Sequence, residues 1–163
     1  MIHPRRQLLP VAAIAAGTVY LPACDPMPPA APNQTPERSA APAWSMQAYA
    51  WSHRPVVIFA LDPADPALAT QRQTLIALAP SLAEREIVVI QAVADSVTAD
   101  DEPVAASPAD LRAAYDVPTD QPFAALLVGK DTGVKLRSAA PLTEQDLFPL
   151  IDSMPMRQRE MSR

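Results

Sequence analysis

Cysteine is almost missing from this chain: Cys24 is the only one among 163 residues. It lies ahead of every stretch able to build a core, so the folded part has no intramolecular disulfide, no thiolate nucleophile and no CxxC pair. Histidine is scarce too. With His3 near the start, only His53 remains as an imidazole base, and His-rich zinc sites are excluded. Glycine occurs three times, at Gly17, Gly129 and Gly133. A phosphate loop needs GxxxxGK and a serine hydrolase a GxSxG elbow, and neither pattern is present, so Lys130 beside Gly129 carries no phosphate-loop reading. His53, close to Trp51, then reads as a structural or exposed side chain.

Proline, by contrast, is abundant at 20 residues, and its placement marks where the globule begins. Residues 1–23 carry Arg5 and Arg6, then an apolar stretch too brief and too proline-interrupted to span a membrane, which is the pattern of an export signal. Leu21-Pro22-Ala23-Cys24 resembles the lipobox of bacterial lipoproteins, in which the cysteine is lipidated. Pro22 departs from the small residue usual there. Asp25 resembles the inner-membrane retention signal of such lipoproteins. The expected address is therefore the periplasm, with Cys24 lipidated and anchored to the inner membrane; a soluble periplasmic or secreted protein is the alternative. Loss of residues 1–23 removes two basic residues and no acid, leaving 11 basic against 18 acidic residues, a net charge of −7. An acidic chain has no electrostatic attraction to phosphate backbones, so nucleic acid is excluded as a partner, and membrane contact is expected only through the lipid.

Residues 24–43 hold six prolines and almost no large aliphatic side chain, and read as an extended tether ahead of a domain over 44–163. Trp44 to Trp51 clusters aromatics expected to cap one end of the core. Val56 to Leu61 is a continuous apolar run, the mark of a strand covered on both faces, and Ile87 to Val93 reads as a second buried strand. Between them Asp65-Pro66 starts a helix, with Leu68, Leu75, Ile76, Leu78 and Ala79 as its apolar stripe and Gln71, Arg72 and Gln73 on its polar side. Pro80 bends or ends that helix, with a short continuation over residues 81–85. Ala94 to Ala106 reads as an exposed acidic loop. Asp95, Asp100, Asp101 and Glu102 invite a calcium site, but the spacing of an EF-hand loop is missing and no metal site is expected. Ser107-Pro108 starts a second helix. Phe123 to Arg137 reads as a β-hairpin whose five-residue loop draws positive φ angles from Gly129 and Gly133. Thr143 opens a last helix over Leu147, Leu150 and Ile151, with Pro149 inside it and Pro155 ending it.

This β-α-β-α-β-β-α order predicts an α/β, thioredoxin-like fold with a mixed four-stranded central sheet flanked by helices. The connector ahead of Phe123 corresponds to the segment that carries a cis-proline in thioredoxins, with Pro122 as the candidate. Five blocks sharpen the reading: Trp51-x-x-Arg54-Pro55, Glu84-Arg85, Leu111-Arg112, Gly129-Lys130-Asp131-x-Gly133-Val134-Lys135-Leu136-Arg137 and Ile151-Asp152-x-Met154-Pro155-Met156-Arg157. Over about residues 44–161 they resemble an uncharacterised thioredoxin-like family, the domain-of-unknown-function family 4174. Thr132 stands where that family usually has a second glycine, and the family requires no proline at position 122. The resemblance implies a thioredoxin-like, peroxiredoxin-related fold and a redox role.

The chemistry does not follow as easily. Thioredoxin catalysis needs a thiolate at the turn after the first central strand, and here that turn is Leu61-Asp62-Pro63-Ala64-Asp65. Thiol exchange by this chain alone is excluded. Two readings stay open: a binding or interaction module, without cofactor, for an envelope protein or a small anionic ligand; or a cysteine-independent or partner-dependent oxidoreductase. The candidate site is an anion- or carboxylate-binding patch of Arg54, Lys135 and Arg137 beside Asp62 and Asp65. Alternatively these charges pair with one another and protect the edge strand from aggregation.

Overall fold

The computed structural model describes residues 44–162; the export signal, Cys24 and the tether lie outside the described residues. A short 3-10 helix, Met46–Tyr49, precedes strand β1 (Arg54–Ala60), helices α1 (Pro66–Ala77) and α2 (Ala79–Glu84), and strands β2 (Ile87–Val93), β3 (Ser96–Ala99) and β4 (Glu102–Pro103). Helix α3 (Pro108–Ala114), the hairpin β5 (Phe123–Val128) and β6 (Val134–Ser138), and helices α4 (Glu144–Asp152) and α5 (Pro155–Met161) complete the chain. The sheet has six strands in the order β4-β3-β2-β1-β5-β6. It is mixed: β1 and β2 run parallel, and every other neighbouring pair is antiparallel.

Every residue of β1 is buried, as its unbroken apolar run requires, because the two faces of the sheet each meet a helical layer. Val56, Ile58 and Ala60 pack with Leu68 and Leu75 of α1, Leu82 of α2, and Leu147 and Ile151 of α4. Val57 and Phe59 point the other way, toward Leu111 of α3, Val117, and the partly buried Trp44 and Tyr49. Each large side chain buried this way contributes about 1.5–3 kcal/mol relative to exposure. Local signals set the helix starts. Asp65 Oδ1 accepts from the Ala67 amide at 2.7 Å with Pro66 at the first position, and Ser107 Oγ accepts from the Asp110 amide at 3.3 Å with Pro108 likewise placed. α1 breaks at Leu78 and resumes as α2 around Pro80, as the sequence predicts.

The structure corrects several expectations. The sheet has six strands and not four, because the segment read as an acidic loop folds back on β2 as β3 and then turns into β4. Asp100 and Asp101, with φ of 47° and 67°, form the tight turn between those strands, and Asp100 Oδ1 accepts from the Val89 amide at 2.8 Å. Among the described residues no group of three or more His, Cys, Asp or Glu side chains is placed to hold a metal ion. The positive φ of the hairpin loop falls on Thr132, at 64°, and neither glycine has one. Gly129 instead lies under two side chains: a Cβ there would stand 2.5 Å from both Asp131 Oδ1 and Lys135 Cε and would push these flexible ends aside. Gln71 is fully buried, since Leu142 answers its amide on both sides, the Leu142 N–H donating at 2.6 Å and its carbonyl accepting at 3.2 Å. Ile76 is 76% exposed, and Trp51 is 70% exposed while Trp44 and Tyr49 cover the core. Pro155 does not end the last helix but begins α5, where a missing N–H is harmless.

Candidate functional site

The five residues expected to form one patch are distributed over the sheet. Asp62 and Asp65 lie beyond the carboxyl end of β1, where Asp62 Oδ1 accepts from the Ala64 amide at 2.8 Å and Asp65 caps α1. Arg54 is the first residue of β1, so eight residues of extended chain, about 25 Å, separate it from Asp62. Arg137, on the edge strand, donates to the carbonyls of Tyr115 at 2.6 Å and Asp116 at 3.4 Å and so ties β6 to the end of α3. Only Arg54 and Lys135 come together. They do so at the amino end of β1, beside the hairpin loop.

That end is held by ion pairs. Arg54, 1% exposed, donates Nη2 to both carboxylate oxygens of Glu160 at 3.0 and 3.1 Å and Nη1 to the Arg85 carbonyl at 2.9 Å. Lys130 Nζ reaches Glu160 at 2.7 Å and also pairs with Glu86. Arg157 bonds Glu84 at 2.6 Å and Asp152 at 3.3 Å, and Arg85 grips Asp152 with two bonds of 2.8 and 3.1 Å while stacking on Phe148. Four basic and four acidic side chains thus balance, drawn from β1, the α2–β2 turn, the hairpin loop, α4 and α5. Hydrogen bonds from Arg85 hold Asp152 below the usual carboxylate range. Burial pushes Glu160 up, but donation from Arg54 and Lys130 outweighs it and holds it low. Burial likewise opposes the charge of Arg157, and Glu84 and Asp152 more than restore it. The network fastens α5 to the sheet.

Sequence reasoning missed this assembly. The blocks singled out for their resemblance contain Glu84, Arg85, Lys130, Asp152 and Arg157, yet spacing along the chain does not show that they meet. The spacing of Arg157 and Glu160, three residues apart and so on one face of a helix, is the local signal of it in the sequence.

Beside the network opens a cleft of about 330 Å³. Its lining combines Arg54, Lys130 and Lys135 with the apolar Leu150, Met154 and Met156. Its cations differ in availability. Arg54 and Lys130 are committed to carboxylates and are at least nine-tenths buried. Lys135 pairs only with Asp131, at 2.6 Å, and both side chains reach solvent. Its hydrogen bond holds Asp131 below the usual range, but an exposed pair of this kind contributes little and opens readily. The cleft therefore offers one exchangeable cation among apolar side chains.

A different environment surrounds Arg112 on α3. It is 5% exposed, its Nη1 donates to the carbonyls of Pro118 and Gln121 at 2.8 and 3.2 Å, and its guanidinium lies 5.4 Å from the centre of the Phe59 ring. Its Nη2 has no partner among the described residues, and burial lowers its pKa. It anchors the connector ahead of β5.

No curated protein and no solved structure matches the chain. The model of the family described as a domain of unknown function, DUF4174, matches residues 45–160, well over half of the chain and including every member of the ion-pair network and every residue that lines the cleft, and the chain belongs to that family.

Proposed function

We propose that this protein is an exported, envelope-tethered domain of thioredoxin-like type that works by binding and not by thiol chemistry. The observation that carries the reading is the cleft beside the hairpin loop, where exposed Lys135 shares the lining with Leu150, Met154 and Met156. A small anionic ligand with a short apolar part fits this lining: its charge takes Asp131's place on Lys135, and its apolar part covers the two thioethers. The β-α-β-α-β-β-α order persists once α1 and α2 are counted as one broken helix and β3, β4 and α5 are set aside as additions, which supports the thioredoxin-like assignment. Cys24, the only thiol of the chain, follows the export-signal pattern in the sequence and supports a role as lipid anchor.

Octanoate is a direct probe of the cleft. The reading expects saturable binding by calorimetry that weakens about tenfold or more in Lys135→Glu, the loss of one charge-assisted contact plus repulsion. Octanoate binding that ignores this charge reversal sinks the cleft as the binding site. Insulin-reduction and peroxide-consumption assays on the purified domain are expected blank. Clear turnover in either favours the oxidoreductase reading instead. Labelling with a palmitate analogue, lost in Cys24→Ser, tests the anchor.

A further inference from the structure

We infer that a second groove, between α1–α2 and the β2–β3 edge of the sheet, is a binding site for a free α-amino acid with an apolar side chain. The groove encloses about 410 Å³, within the range of small-molecule sites, and shares no residue with the cleft beside Lys135. Its floor is Leu75, Leu82, Ile87 and Val89, and exposed Ile76 stands on its rim.

The polar end of the groove carries both charges a zwitterion requires. Arg72 donates Nε to Gln91 Oε1 at 2.7 Å, and Gln91 returns Nε2 to Asp101 Oδ1 at 3.2 Å. Gln91 is 7% exposed and engaged on both sides, so it works as a spacer that sets the guanidinium and the carboxylate one amide width apart. Arg72 forms no ion pair among the described residues, and its two terminal nitrogens have no partner there. Asp101 uses one carboxylate oxygen on Gln91, and neighbouring Asp100 uses one on the Val89 amide, which leaves the second oxygen of each open. A guanidinium fork fits an α-carboxylate bidentately, and the two open carboxylate oxygens fit an α-ammonium. The side chain then falls on the aliphatic floor. The unpaired Arg72 is the feature that distinguishes this groove from the charge-balanced network at the other end of the domain, and its exposed terminal nitrogens are open to a carboxylate from outside the chain.

The test is calorimetric titration of the full chain with L-leucine, 4-methylpentanoate, which lacks the ammonium, 3-methylbutylamine, which lacks the carboxylate, and glycine, which lacks the side chain. Saturable binding of L-leucine is expected, with each truncated compound weaker by about tenfold or more, one charge-assisted contact or one buried side chain apiece. Arg72→Met and Asp101→Asn, both at exposed positions, are each expected to lower the affinity for L-leucine by a similar factor. Absence of saturable L-leucine binding overturns the inference, as does binding that 4-methylpentanoate matches or that neither substitution changes.

Discussion

Arg54 and Lys130 share the carboxylate of Glu160, and the three groups illustrate how burial sets the consequence of a substitution. Arg54→Met leaves Glu160 with Lys130 and a longer contact to Arg157 and strands the Arg85 carbonyl, so a loss of about 2–3 kcal/mol in urea unfolding is expected, below the range for a fully buried pair because Glu160 is partly exposed. Arg137→Glu removes two bonds to carbonyls at the end of α3 on an exposed strand, and its loss is expected to stay near 1 kcal/mol. If Arg137→Glu instead weakens octanoate binding as strongly as Lys135→Glu, the edge-strand arginine belongs to the binding surface. The contrast between these positions was legible only in part. Gly129 could be named from the sequence, but its close neighbours are the ends of Asp131 and Lys135, which only the folded loop brings over its Cα.

Among the elements, those with a local cause could be read in advance. β1 and β2 are rich in β-branched residues, and Asp65-Pro66 and Ser107-Pro108 carry both halves of a helix start. β3 and β4 escaped because their residues are polar and few; they are strands by virtue of the free edge of β2, a non-local fact. α5 escaped because proline is ambiguous, ending one helix and opening another. Its stability comes from Arg157 and Glu160 and not from an apolar stripe, and a chain ending at Met154 is expected to melt about 10 °C lower or more, since it also deprives Arg54 and Lys130 of a shared carboxylate. A calorimetric melting temperature unchanged by that truncation would show that the network contributes nothing.

For the whole domain, the carboxylates give a pH dependence with a definite sign. Asp131, Asp146, Asp152 and Glu160 all have lowered values, by donation from Lys135, Thr143 and Arg85 in the first three and from Arg54 and Lys130, against burial, in Glu160. Each binds its proton more readily in the unfolded chain. Stability is therefore full above the ordinary carboxylate range, at about pH 5, and is lost as pH falls through about 4 and below. A urea midpoint flat from neutrality to about pH 5 and dropping below it is expected, with Glu160→Gln showing a smaller drop. A midpoint that rises on acidification contradicts the assignment.

The salt bridge between Arg54 and Glu160 joins the first residue of the first strand to the final turn of the final helix, and the Trp51 amide bonds the Lys130 carbonyl at 2.7 Å beside it. Residues 106 positions apart in sequence are thus clasped, and the last helix cannot peel away without breaking bonds to the strand at the centre of the sheet.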